Sequence, residues 1–144
     1  MLNIGLDIVE TMATSDNVLR AGLTPKTRDV PNLISSLTYH ARASSAHLIM
    51  PALFPRGSER TKLYNPPIPE FAVLLVKVSA GDKETHDGLE GPSLLIVTEG
   101  KGRLVWSDGD LTINEGSVLF VGASTKVTFE AKEELVLFRA FVEA

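Results

Sequence analysis

The chain has 144 residues, 14 Lys and Arg against 18 Asp and Glu for a net charge of −4, 44% hydrophobic residues and no Cys. One domain with a real core fits that length, and the ordinary composition excludes disordered, collagen-like and low-complexity chains. The acidic balance argues against a nucleic-acid binder, which needs clustered Lys and Arg, and zero Cys excludes disulfides, thiol nucleophiles and Cys-based zinc sites.

In chain order, residues 4–13 alternate loosely through Ile4, Leu6, Ile8, Glu10 and Met12, which predicts a strand interrupted at Glu10. No basic region precedes Asp7, so no signal peptide is read there. No apolar run approaches the roughly 20 residues of a membrane span, and a soluble, cytoplasmic chain is expected. Residues 29–37 predict a helix: Asp29 caps it, Pro31 sits in the first turn, and Val30, Leu33, Ile34 and Leu37 share a face. The stretch 40–69 contains five prolines and reads as an irregular connector or a strap on a sheet.

From residue 71 onward the pattern is short strands: 71–78, 93–98, 102–106, 110–113, 117–121, 126–130 and 135–142. Gly- and Asp-rich turns separate most of them, and a polar loop is read over 81–91. Spacings of about 8–12 residues with such turns predict a mostly β fold, a sandwich or barrel. Trp106 and Phe120 read as core aromatics.

Candidate chemistry is sparse. His40, His47 and His86 fall in the connector and the polar loop with no metal-ligand spacing, so they read as loop histidines and metal ligands from this chain are not expected. No nucleophile elbow, P-loop or dinucleotide fingerprint occurs. The segment from Glu10 to Lys26 differs, gathering Glu10, Asp16, Asn17, Arg20, Thr24 and Lys26 into what otherwise reads as buried sequence. Arg offers a planar fork and Lys a point charge to an anionic or polyhydroxylated ligand. A salt-bridged structural corner uses the same residues, and composition does not separate the two.

The run Ala13-Thr14-Ser15-Asp16-Asn17-Val18-Leu19-Arg20-Ala21-Gly22-Leu23-Thr24-Pro25-Lys26 resembles the A-x-S-D-N-x-x-R-A-G-L-T-P-K signature of type I mannose-6-phosphate isomerases. Further blocks at 29–31, 63–71, 91–95, 116–123 and 137–140 resemble the C-terminal part of the same family, in order.

The resemblance implies a cupin fold, an antiparallel β jelly roll with one short helix and an irregular connector. It divides the chain into 1–26, a strand and active-site loop of a catalytic cupin; 27–70, a helix and Pro-rich connector; and 71–144, a C-terminal cupin-like barrel. It implies interconversion of mannose 6-phosphate and fructose 6-phosphate through an enediol, with one zinc. Arg20 matches the family's active-site arginine and would stabilise charge on the enediol; Glu10 and Lys26 match residues lining its substrate cavity.

The family's zinc ligands, a Gln-x-His pair, a Glu and a His before the signature, have no counterpart here, and counting back to that His reaches Met1. The chain alone is therefore expected to bind no zinc and to be inactive. A fragment, a split-enzyme subunit with an N-terminal catalytic half, and a stand-alone cupin that binds a sugar phosphate or serves as a partner subunit all remain open. Apolar Ile4, Leu6, Ile8 and Met12 would face water without a covering partner, so either a homodimer hiding this edge or disorder before about residue 27 is expected.

Overall fold

The structure is a computed structural model describing residues 8–14 and 18–142. The strand expected over 4–13 lies partly outside these; the described part, 8–13, is not a strand. Of the described residues, 8–12 with 49–142 form one compact unit and 13–48 another.

In the smaller unit, α1 spans Val30–Ser36. The Asp29 carboxylate accepts the Asn32 N–H at 3.2 Å and Pro31 occupies the first turn, as the sequence predicts. A single 3₁₀ turn, Ser44–His47, follows. Val30, Ile34 and Leu37 are nonetheless exposed. Seven residues are too few for a helix to persist on propensity alone.

The larger unit is a cupin-like jelly roll of two antiparallel sheets. The strands are β1 Ala52–Leu53, β2 Thr61–Tyr64, β3 Ala72–Val78, β4 Lys83–His86, β5 Ser93–Glu99, β6 Lys101–Trp106, β7 Gly109–Asn114, β8 Val118–Val121, β9 Val127–Ala131 and β10 Leu135–Phe141. Six form one sheet in the order β1-β2-β3-β10-β5-β8; the other four run β4-β9-β6-β7. Leu74, Val76, Leu95, Val97 and Leu137 of the first sheet meet Leu104, Ile113, Val127 and Phe129 of the second in one core. Among the described residues no helix is long and apolar enough to cross a membrane.

Turn chemistry fixes the order. Ser107 and Asp108 close the β6–β7 hairpin, with Trp106 opposite Gly109. Gly100, between β5 and β6, has φ +79°, and a Cβ there would stand 1.7 Å from the Glu134 carbonyl oxygen, so only glycine fits.

Three sequence expectations are corrected. The loop read over 81–91 contains β4, whose polar residues alternate inward and outward and so carry no apolar signature. The connector read over 40–69 supplies β1 and β2, which extend the larger sheet. Phe120 is not a core residue: opposite Leu94 on the outer face of edge strand β8, it is 69% exposed. Trp106 is half-buried against the core.

Candidate functional site

Glu10 lies in the larger unit, exposed and in irregular backbone; Arg20, half-buried, and Lys26, exposed, lie in the smaller one, also in irregular backbone. The segment is more open than its composition suggests, with Met12 and Leu23 both exposed. Thr24 Oγ1 accepts the Lys26 backbone N–H at 3.2 Å, and the Gly22 carbonyl accepts from Arg28. These local turns set the backbone around the two cations. Gly22, at φ +77°, has open space around its Cα.

A second group of polar residues was not visible as such in the sequence. On β4, Glu84 and His86 are two apart and point together into the barrel, both essentially buried. His86 is thus a core residue and not a loop histidine. From the facing sheet come Thr61 on β2, Ser93 on β5 and Arg139 on β10, all buried. Phe54 and Phe129 stand edge-on to the imidazole, each with ring centroids 5.3 Å away.

The hydrogen bonds have one consistent direction, because a guanidinium only donates and a carboxylate only accepts. Arg139 donates from Nε to Ser93 Oγ at 2.9 Å and from Nη1 to His86 Nδ1 at 3.2 Å. His86 Nδ1 is therefore the acceptor, and its proton sits on Nε2. Nε2 donates to Thr61 Oγ1 at 2.8 Å, and Thr61 donates to Glu84 Oε1 at 2.6 Å. Ser58 completes the carboxylate with its backbone N–H at 2.8 Å and its hydroxyl at 2.5 Å. Among the described residues no buried side-chain N or O lacks a partner.

The electrostatics agree. Burial, helped by the Arg139 charge and opposed by Glu84, pushes the His86 pKa down to about 4, so the ring is neutral at pH 7. Burial lowers Arg139 to about 10, leaving it charged. Burial also opposes ionisation of Glu84, but the bonds from Ser58 and Thr61, with His86, outweigh it and hold its carboxyl below the ordinary value. The result is one buried cation and one buried anion joined through neutral His86 and Thr61, across the two sheets.

This arrangement does not fit zinc. Both imidazole nitrogens are engaged, the carboxylate is saturated, and Arg139 holds a positive charge against the ring. Among the described residues no three His, Cys, Asp or Glu converge as a metal site. The cluster is a structural pin between sheets. A separate cleft of about 430 Å³ is lined by Phe54, Leu63, Pro66, Ile68, Phe71 and Phe141, with Arg56 also on its wall.

Comparison with known proteins places these features in context. Residues 62–114 match the family described as phosphomannose isomerase type I C-terminal. The chain is 51% identical over 138 residues to a mannose-6-phosphate isomerase of Cryptococcus neoformans, covering 96% of this chain and 32% of that protein. It is 44% identical over 141 residues to the mannose-6-phosphate isomerase of Schizosaccharomyces pombe, covering 95% and 34%. The structure of mannose 6-phosphate isomerase from Salmonella typhimurium bound to fructose 6-phosphate and zinc superposes with a TM-score of 0.75 at 28% identity, covering 92% of this chain and 32% of that one. A zinc-bound mannose 6-phosphate isomerase gives a TM-score of 0.72 at 27% identity, covering 90% and 31%. The chain thus spans about a third of the length of the curated relatives it matches.

Proposed function

We propose that this chain, which is similar to the C-terminal part of type I phosphomannose isomerases over residues 62–114 and to their curated relatives over 96% of its length, serves a cytosolic mannose-6-phosphate isomerase in that capacity. The reaction is the interconversion of mannose 6-phosphate and fructose 6-phosphate by proton transfer between C1 and C2 through an enediol. The observation that carries the reading is the run from Ala13 to Lys26, within a match of 51% identity that covers 96% of the chain.

In this reading residues 1–26 belong to the catalytic barrel and bring three side chains to the sugar phosphate. Arg20 stabilises negative charge developing on the enediol oxygens, Lys26 binds the phosphate or the same charge, and Glu10 hydrogen-bonds sugar hydroxyls. Zinc, which the Salmonella relative binds, polarises sugar oxygens in such an enzyme. In this reading its ligands come from the part of such an enzyme that this chain does not match; among the described residues, the buried His86–Glu84 pair is already hydrogen-bonded at both imidazole nitrogens and both carboxylate oxygens. The chain by itself therefore does not turn over.

The test is isomerase activity with mannose 6-phosphate, measured for this chain alone and together with the unmatched two-thirds of the Cryptococcus relative. Activity only in the mixture supports the reading. Chelator-sensitive turnover by the chain alone contradicts it.

A further inference from the structure

The cleft of about 430 Å³ takes no part in the isomerase chemistry proposed above. It lies at one end of the barrel, where β2 and β10 finish and β3 begins, with Leu63, Ala72 and Phe141 of those strands on its wall. Phe54 and Phe141, both buried in the core and edge to face at 6.2 Å between centroids, also line it.

Two short segments complete the cleft, and each is held in shape by its own sequence. In the first, the Gly57 N–H donates to the Phe54 carbonyl at 3.2 Å and closes a four-residue turn, with Pro55 second and Arg56 third. Proline favours that second position because its φ is already set. Glu84 anchors the end of this turn by accepting from the backbone N–H and the hydroxyl of Ser58, and Phe54 rests edge-on against His86. In the second segment Pro66, Pro67 and Pro69 fix the backbone, and the Ile68 N–H donates to the Pro66 carbonyl at 2.8 Å. Walls preformed in this way spare a ligand the cost of ordering them.

The lining divides into two chemistries. Phe54, Phe71, Phe141, Leu63 and Ile68 make most of it apolar and aromatic. Among the described residues, Arg56 and Asn65 are its polar side chains, and no carboxylate lines it. The Arg56 charge also acts on Asp87, which Lys126 holds at 2.9 Å. A guanidinium has five N–H donors, so contacts inside the protein do not exhaust it. The volume is that of a small-molecule site, and such sites are mostly apolar with a few polar groups that orient the ligand. A hexose phosphate does not suit this lining, because its hydroxyls would lose water against phenylalanine and proline without gaining partners. A flat apolar ring carrying one negative charge matches both chemistries, the ring against the phenylalanines and the anion at the Arg56 fork.

We propose that this cleft is a binding site for a small aromatic monoanion of the arylcarboxylate class, with Arg56 holding the charge and Phe54, Phe71 and Phe141 the ring. It uses none of the residues assigned to the sugar phosphate, so it stands independently of the isomerase reading.

Titration of the full chain with naphthoate, followed by amide NMR shifts and by calorimetry, tests the site. Saturable 1:1 binding is expected, with shifts concentrated at Arg56, Asn65, Ile68 and Phe71. Arg56→Met keeps an apolar stem and removes the charge. It should weaken naphthoate roughly tenfold or more, the size of one charge-assisted hydrogen bond, and leave the neutral naphthamide within about twofold of the parent. Ile68→Asp places a carboxylate in the apolar part and should weaken both compounds. Both positions lie outside the buried core, so thermal unfolding of the variants should match the parent. The absence of saturable binding overturns the proposal, as do shifts centred on the outer sheet face around Leu94 and Phe120. So does an Arg56→Met chain that binds both compounds as the parent does. Mannose 6-phosphate producing the same cleft shifts as naphthoate would also overturn it, since the cleft would then be a sugar-phosphate site.

Discussion

Arg139, His86, Thr61 and Glu84 set the residue-scale chemistry of the barrel. Removing one member of a buried, hydrogen-bonded charge pair leaves the other uncompensated, which is destabilising by about 3–5 kcal/mol. Arg139→Met should fall in that range by urea unfolding at pH 7, and a loss below about 1 kcal/mol would mean that the pair is not coupled through His86. The His86 shift sets a pH dependence. The folded pKa, about 4, lies below the ordinary 6.5, so between those values the unfolded chain binds the proton that the folded chain refuses. Stability is complete above pH 6.5 and declines as pH falls toward 4, by about 3 kcal/mol. Glu84, held below its ordinary value, loses its contribution in the same direction at still lower pH. His86→Gln should flatten the profile between pH 6.5 and 4, although the variant is less stable at pH 7. An unchanged slope would place the titration elsewhere.

At the element scale, apolar alternation and turn residues made most of the barrel legible. The strands expected from residue 71 onward, other than β4, begin and end within about one residue of those observed. β4 was hidden because its inward residues are Glu84 and His86, whose signature is polar, and only the i, i+2 spacing places them on one face. β1 and β2 were hidden by surrounding prolines, which flank the strands without occupying them. Phe120 was misplaced because an apolar run cannot say which of its two faces is inward. Gly100 tests the turn chemistry: Gly100→Ala places a methyl against the Glu134 carbonyl at positive φ and should be destabilising by more than about 1 kcal/mol. A melting temperature equal to the parent's would show that the β5–β6 turn relaxes freely.

At the scale of the whole molecule, the signature run was legible because it is dense in specific residues, and the relatives found at 51% and 44% identity agree with the resemblance it carries. The buried pin was not legible, since its members are spread from Ser58 to Arg139 and meet only when the two sheets close. The most direct measurement of the account is turnover of mannose 6-phosphate by this chain combined with the unmatched two-thirds of the Cryptococcus relative, comparing the parent chain with Arg20→Ala. Activity is expected in the parent mixture, with a fall of roughly 10²–10³-fold in kcat for the variant. Equal kcat for the two mixtures would contradict the role of Arg20, and turnover by the parent chain alone would contradict the division of the site between two parts.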